Sequence, residues 1–149
     1  MKVKDCMCSD VCSVKPNTKV CEVAKLMKQN HVGAIPVCDE NKMICGIVTD
    51  RDIVLRSVAC DKDVKNIPVS DIMTCNVCTC NEDDEMKQAE SKMANYQVRR
   101  LPVCDTSNRV IGILTLGDLA QNDMQLGKQN VCDTISDICN CNVQAKNAE

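Results

Sequence analysis

Two strings in this chain combine residue types that could do chemistry together: Gly46-Ile47-Val48-Thr49-Asp50-Arg51-Asp52-Ile53 and Gly112-Ile113-Leu114-Thr115-Leu116-Gly117-Asp118-Leu119. Both follow the pattern G-h-h-T-x-x-D-h, where h is apolar. The apolar run reads as a strand, and the residues after the threonine as the start of a helix. A helix start offers unpaired N–H groups, which together with the threonine hydroxyl suit a phosphate. The carboxylate three residues on suits the two hydroxyls of a ribose. A plainer reading is a capping box, with threonine at the N-cap and the acid bonding back to it. The glycine inside the strand weakens it, and such a glycine often marks close approach by another backbone or by a ligand. On these residues alone both readings stand.

Other chemistry finds little footing. There is no Walker loop, no G-x-G-x-x-G and no G-x-S-x-G. The single histidine, His31, fits a helix end better than acid–base catalysis. The acids Asp83-Asp84-Glu85 stand at an expected helix start, where the dipole favours them. No enzyme activity is therefore expected. Fourteen cysteines invite a disulfide or metal framework. Yet Cys6-x-Cys8 with Cys12, Cys75-x-x-Cys78-x-Cys80 and Cys139-x-Cys141 contain one CxxC between them and complete no tetrahedral set.

The elements that carry the strings occur twice. A constant offset of 66 residues aligns Val3-Lys4-Asp5-Cys6-Met7 with Val69-Ser70-Asp71-Ile72-Met73, and Ile35-Pro36-Val37-Cys38-Asp39 with Leu101-Pro102-Val103-Cys104-Asp105. Each copy predicts a short strand (11–14; 77–80), then a helix over 18–30 or 84–95 with Thr18 or Asp84 as N-cap. Two apolar strands follow, Ala34–Cys38 and Ile44–Thr49, then Arg100–Cys104 and Val110–Thr115, each pair joined by a polar turn. A second helix begins after Thr49 and after Thr115. The expected fold is α+β: two tandem β-α-β-β-α units packed with pseudo-twofold symmetry, over 3–60 and 69–124. The tail, 125–149, suggests one short helix with Val131, Ile135 and Ile138 on a face, then a loose terminus from Asn140.

The repeat also serves as a control on the cysteines. Cys6 stands opposite Ile72, Cys45 opposite Ile111 and Cys80 opposite Val14, while Cys38 matches Cys104 and Cys12 matches Cys78. Free cysteine packs as a small hydrophobe, so these positions read as core.

The composition bounds the rest. The chain has 149 residues, 44% hydrophobic and 26% charged, as soluble globular domains do. Its net charge of −3 gives no footprint for nucleic acid, and Tyr96 is its sole aromatic residue, which excludes base-stacking platforms. No apolar run is long enough for a membrane helix, and the first residues lack a signal-peptide core, so a cytoplasmic protein with reduced thiols is expected.

The strings D-h-M, h-P-V-x-D and G-h-h-T-x-x-D-h, in that order and twice over, resemble a pair of cystathionine-β-synthase (CBS) domains, the Bateman module. The resemblance covers residues 3–124. It implies a regulatory fold binding adenosine-type ligands (AMP, ADP, ATP, sometimes S-adenosylmethionine) in clefts between the two repeats. It also implies a homodimer acting on an effector protein that the sequence does not identify, with no nucleic acid or membrane partner. Carried onto this chain, the implied ligand residues are Ile47, Thr49, Arg51 and Asp52, faced by Arg99, Arg100, Leu101 and Pro102. The second set is Ile113, Thr115 and Asp118, faced by Ala34, Ile35 and Pro36. One cleft then gathers three guanidinium groups and the other none, so the Asp52 cleft is expected to prefer polyphosphates. Here Cys38 and Cys104 stand where the family commonly has valine, a departure that concerns packing. The competing function is a constitutive interaction or thiol-storage protein whose cysteines carry a redox or metal role.

Overall fold

The computed structural model describes residues 1–126 and 130–147. Among the described residues, five strands and five α-helices follow one another: α1 (Val20–Asn30), β1 (Ala34–Cys38), β2 (Ile44–Thr49), α2 (Asp50–Arg56), β3 (Cys80–Asn81), α3 (Met86–Tyr96), β4 (Arg100–Cys104), β5 (Val110–Thr115), α4 (Leu116–Leu126) and α5 (Asn130–Asn147). The four long strands begin and end where the apolar runs do. The chain divides into two compact units: one of Met1–Ser9, Cys78–Ser107 and the residues from Ile111 onward, the other of Asp10–Val77 with Asn108–Val110. The opening residues of each repeat therefore belong to the unit that holds the other repeat's strands.

In the unit of the first repeat, β1 and β2 pair antiparallel, with Ala34 opposite Thr49 and Pro36 opposite Ile47. The expected strand over 11–14 shrinks to a single parallel bridge, Val14 to Val37. On the far edge, Ile47 exchanges both backbone hydrogen bonds with Thr74, at 3.0 and 2.9 Å. The second repeat builds the same order. β3 runs parallel to β4, with Cys80 opposite Val103, β5 lies on the other side of β4, and Ile113 exchanges both bonds with Cys8. Strand 77–80 is displaced to Cys80–Asn81.

The turns explain two motif acids. Asp39 Oδ1 accepts the amides of Asn41 and Met43, at 2.8 and 3.0 Å, and Asp105 Oδ1 accepts that of Ser107 at 2.8 Å. Such side-chain-to-backbone bonds fix the hairpin turn. The aspartate of h-P-V-x-D is thus a turn residue.

The helix starts differ from the sequence expectation. Lys19 and Glu85, and not Thr18 and Asp84, are the N-caps of α1 and α3. Lys19 forms a β-bridge to Pro68 and Glu85 one to Lys2, and this pairing holds each residue extended at the helix entry. Glu85 and Gln88 close a capping box instead. Asp84 accepts the Asn81 amide at 3.0 Å and Lys92 Nζ at 2.9 Å. Burial opposes its ionisation, but these two partners prevail and hold the carboxyl below its ordinary range. Helices α1 and α3 end on His31 and Gln97, both left-handed, with φ 53° and 54°.

The two cores contain no aromatic residue. One gathers Val20, Val23, Ile35, Val37, Val48, Val69 and Ile72; the other gathers Val3, Met93, Leu101, Val103, Leu114 and Leu119. Each fully buried aliphatic side chain contributes about 1.5–3 kcal/mol. Cysteine fills the gaps: Cys38, Cys80 and Cys104 are buried, and Cys6, Cys12, Cys45 and Cys78 are half-buried against the cores. Every position that the repeat assigned to packing packs. Burial pushes the Cys80 thiol up to about 12, and Cys6, Cys78 and Cys104 are raised for the same reason.

The tail adds a helix without a counterpart in the first repeat. α5 runs to Asn147, where the sequence suggested a short helix and a loose terminus from Asn140. Val131, Thr134 and Ile138 form its buried face, while Ile135 is 40% exposed. Asp123 Oδ2 accepts the Val131 amide at 2.8 Å and so caps the helix from α4. By contrast, α2 buries no residue, and Val54 and Leu55 are exposed.

Candidate functional site

Each G-h-h-T-x-x-D-h string folds as strand, N-cap and first helical turn. Thr49 is the N-cap of α2, in extended conformation, and its hydroxyl accepts the Asp52 amide at 3.2 Å. Asp52 Oδ2 accepts the Thr49 amide at 2.9 Å. The second string repeats this, with Asp118 Oδ2 accepting the Thr115 amide at 2.7 Å and the Thr115 hydroxyl at 2.8 Å. The capping box is therefore real in both copies. It does not exhaust the carboxylates. Asp52 Oδ1 has only an ion pair with Arg56 Nε at 3.7 Å, and Asp118 Oδ1 has no hydrogen-bond partner among the described residues. Both aspartates are half-buried.

The glycine that opens each string serves a backbone. A Cβ on Gly46 would lie 2.7 Å from Met73 Sδ and 2.8 Å from the Thr74 carbonyl oxygen. On Gly112 it would lie 2.5 Å from Met7 Sδ and 3.1 Å from the Cys8 carbonyl oxygen. These are the chain segments bridged to Ile47 and Ile113, so the backbone groups of both isoleucines are already engaged. What Ile47 and Ile113 can offer a ligand is a half-buried side chain.

Within each unit the string lies beside the first long strand of its own repeat. The Asp50 amide bonds to the Gly33 carbonyl at 3.0 Å, and the Leu116 amide to the Arg99 carbonyl at 2.9 Å. Ala34, Pro36 and Pro102 are buried, and Ile35 and Leu101 are fully buried in the cores. Arg51 and Arg99 are exposed and Arg100 half-exposed. At the position matching Arg51, Gly117 has room: a Cβ there would meet only Thr115 Oγ1, at 3.5 Å. Packing therefore does not require this glycine.

Two features escaped the sequence reading. Arg56 ties α2 to the opening segment of the second repeat by donating to the carbonyls of Ile72 and Met73, at 3.2 and 3.4 Å. Asp123 holds α5 in place; an acid followed by an apolar stripe was its signal.

Two repeats of one α+β unit, each presenting a threonine–aspartate string at a strand-to-helix junction, define a tandem-repeat module. The chain belongs to the CBS family: the CBS domain model matches residues 3–59 and 69–124. It is 44% identical over 122 residues to the CBS domain-containing protein YhcV of Bacillus subtilis, covering 82% of this chain and 85% of that one. Among solved structures it resembles the CBS domain pair of protein MJ0100 in complex with 5′-methylthioadenosine and S-adenosyl-L-methionine, with 30% identity, a TM-score of 0.73 and coverage of 81% and 98%. It also resembles CBSX2 in complex with AMP, with 27% identity, a TM-score of 0.73 and coverage of 85% and 98%. No described helix is long and apolar enough to cross a membrane.

Proposed function

We propose that this CBS pair is a regulatory module that binds an adenosine-type ligand, AMP, ADP or ATP, through its two T-x-x-D strings. The observation that carries the reading is the divided use of Asp52 and Asp118. Each commits Oδ2 to its capping box, which leaves Oδ1 of Asp118 without a hydrogen bond among the described residues and Oδ1 of Asp52 with only a 3.7 Å ion pair to Arg56, so each Oδ1 can accept from a ribose hydroxyl. The adenosine compounds bound by the CBS pair of MJ0100 and by CBSX2 support the same ligand class. Thr49 and Thr115 then face phosphate, with Ile47, Ile113, Ala34, Pro36 and Pro102 as apolar neighbours. Ile35 and Leu101 hold the strands from within the cores. Arg51, exposed in the first turn of α2, supplies a guanidinium group for a polyphosphate at the Asp52 string, since guanidinium pairs with phosphate bidentately. The Asp118 string, with Gly117, takes adenosine or another ligand of low charge.

Binding regulates only where the ligand prefers one of two states, here of a homodimer and its effector. Titration calorimetry with AMP, ATP and adenosine tests the reading. Asp52→Ala and Asp118→Ala should each weaken its own site by about 1.5–3 kcal/mol. Heat changes absent for all three ligands would reject it.

A further inference from the structure

Arg56 closes α2 and meets two kinds of acceptor at once. Its Nε lies 3.7 Å from Asp52 Oδ1, one helical turn back, and its Nη1 donates to the carbonyls of Ile72 and Met73 at 3.2 and 3.4 Å. All four residues lie in the compact unit of Asp10–Val77. One guanidinium therefore spans the carboxylate oxygen proposed for a ribose and the backbone of the segment that opens the second repeat. That segment is part of the core. Val69 and Ile72 are fully buried, Met73 Sδ fills the space beside Gly46, and Thr74 exchanges both backbone bonds with Ile47.

The other repeat supplies the comparison. At the offset of 66 residues, Asn122 takes the place of Arg56 and Cys6 that of Ile72. These two also meet, with Cys6 Sγ 3.8 Å from Asn122 Oδ1. Contact between this helix position and the opening segment is thus common to both repeats. Asn122 carries no charge, and among the described residues no hydrogen bond joins its side chain to the Asp118 carboxylate. The link from carboxylate to opening segment is what Arg56 adds. It is a divided link: 3.7 Å exceeds hydrogen-bond length, and both carbonyl contacts lie at its long end. The guanidinium is shared between two pulls. A hydroxyl donating to Asp52 Oδ1 changes their balance, because it offsets part of the negative charge that attracts Arg56.

We infer that Arg56 couples occupancy of the Asp52 string to the opening segment of the second repeat. A ribose hydroxyl on Asp52 Oδ1 weakens the ion pair, and the guanidinium moves onto the Ile72 and Met73 carbonyls and holds that segment more tightly. The inference rests on the nucleotide reading and gives it an element whose state the ligand biases. The test is amide hydrogen exchange of the full chain by NMR, with and without saturating ATP. It is read at Met73 and Thr74, whose amides bond to the carbonyls of Val69 and Ile47. Exchange there should slow at least about fivefold with ATP, the lower end of coupling between sites. Equal slowing at Met7 and Cys8, whose repeat lacks the arginine, would be general stabilisation by ligand and would overturn the inference. Arg56→Met and Arg56→Lys should each abolish the slowing, lysine because one ammonium cannot span both acceptor sets. The Arg56 side chain is half exposed, so both variants keep the fold. A merely structural arginine would instead speed exchange with and without ATP and leave the slowing intact, which also overturns the inference. Calorimetry on the same samples separates the two failures. ATP binding without slowing removes the coupling alone, whereas no heat from ATP, AMP or adenosine rejects the nucleotide reading and the coupling with it.

Discussion

Met7 Sδ occupies the space that a Cβ on Gly112 would need, 2.5 Å away, and Met73 stands to Gly46 in the same way at 2.7 Å. The methionine of D-h-M and the glycine of G-h-h-T are therefore partners, and each motif explains the other. The two pairs differ in what else crowds the glycine. At Gly46 the Thr74 carbonyl oxygen lies 2.8 Å from the Cβ position, whereas at Gly112 the nearest backbone atom is at 3.1 Å and the closest contact is a flexible thioether.

Gly46→Ala should therefore destabilise the protein by about 2–3 kcal/mol and Gly112→Ala by about 1 kcal/mol, the range of overpacking. Urea unfolding monitored by circular dichroism measures both. Equal losses would mean that the backbone at Thr74 yields as easily as the Met7 side chain.

Gly117 offers the opposite case. It is exposed, lies in the first turn of α4 and touches nothing a Cβ would disturb. Gly117→Ala should add about 0.5–1 kcal/mol by restricting the unfolded chain. Gly117→Arg should in addition raise ATP affinity at the Asp118 string in calorimetry, toward that of the Asp52 string.

His31 and Gln97 end their helices in the left-handed region, where a side chain costs about 1–2 kcal/mol relative to glycine. Both are exposed. His31→Gly and Gln97→Gly should each stabilise the chain by about 1 kcal/mol, additively, because each closes a different helix. A thermal-melt series of the two single variants and the double variant reads this directly.

The buried thiols make stability depend on alkaline pH. The Cys80 thiol ionises near 12 when folded but near its ordinary 9.0 when unfolded. Above pH 9 the unfolded state loses a proton that the folded state keeps, so stability falls as pH rises from about 9 toward 12. In Cys80→Val, which restores the residue type of Val14, the fall in urea midpoint over that window should be smaller. A thiol reagent at neutral pH should modify exposed Cys8, Cys60, Cys75, Cys132 and Cys139 ahead of buried Cys38, Cys80 and Cys104.

Much of this was legible in the sequence because it is local. β1, β2, β4 and β5 each combine an apolar run with a turn signal, and the repeat sorted core cysteines from surface ones by their aligned partners. The helix caps were misplaced because Pro68 and Lys2, distant in sequence, pair with Lys19 and Glu85 and override the local preference of Thr18 and Asp84. The short first strands failed for a related reason: with few partners, Val11–Val14 keeps only the Val14 bridge. The T-x-x-D strings were the reverse case. Their capping geometry was readable from spacing alone, whereas the state of each second carboxylate oxygen, ion-paired to Arg56 in Asp52 and without a hydrogen bond in Asp118, needed coordinates. The packing of α5 was invisible because it meets α3 and α4 only through tertiary contacts.

The opening residues of each repeat complete the core around the other repeat's strands: Val3 is fully buried with Leu101 and Leu114, and Val69 and Ile72 with Ile35 and Val48. A single repeat cut from the chain would thus carry a leader that fits elsewhere and lack the one it needs. Such a fragment could regain a complete core only by trading leaders with a second copy of itself. The tandem protein is in this sense a swapped dimer closed into one polypeptide, each half completed by the leader of the other.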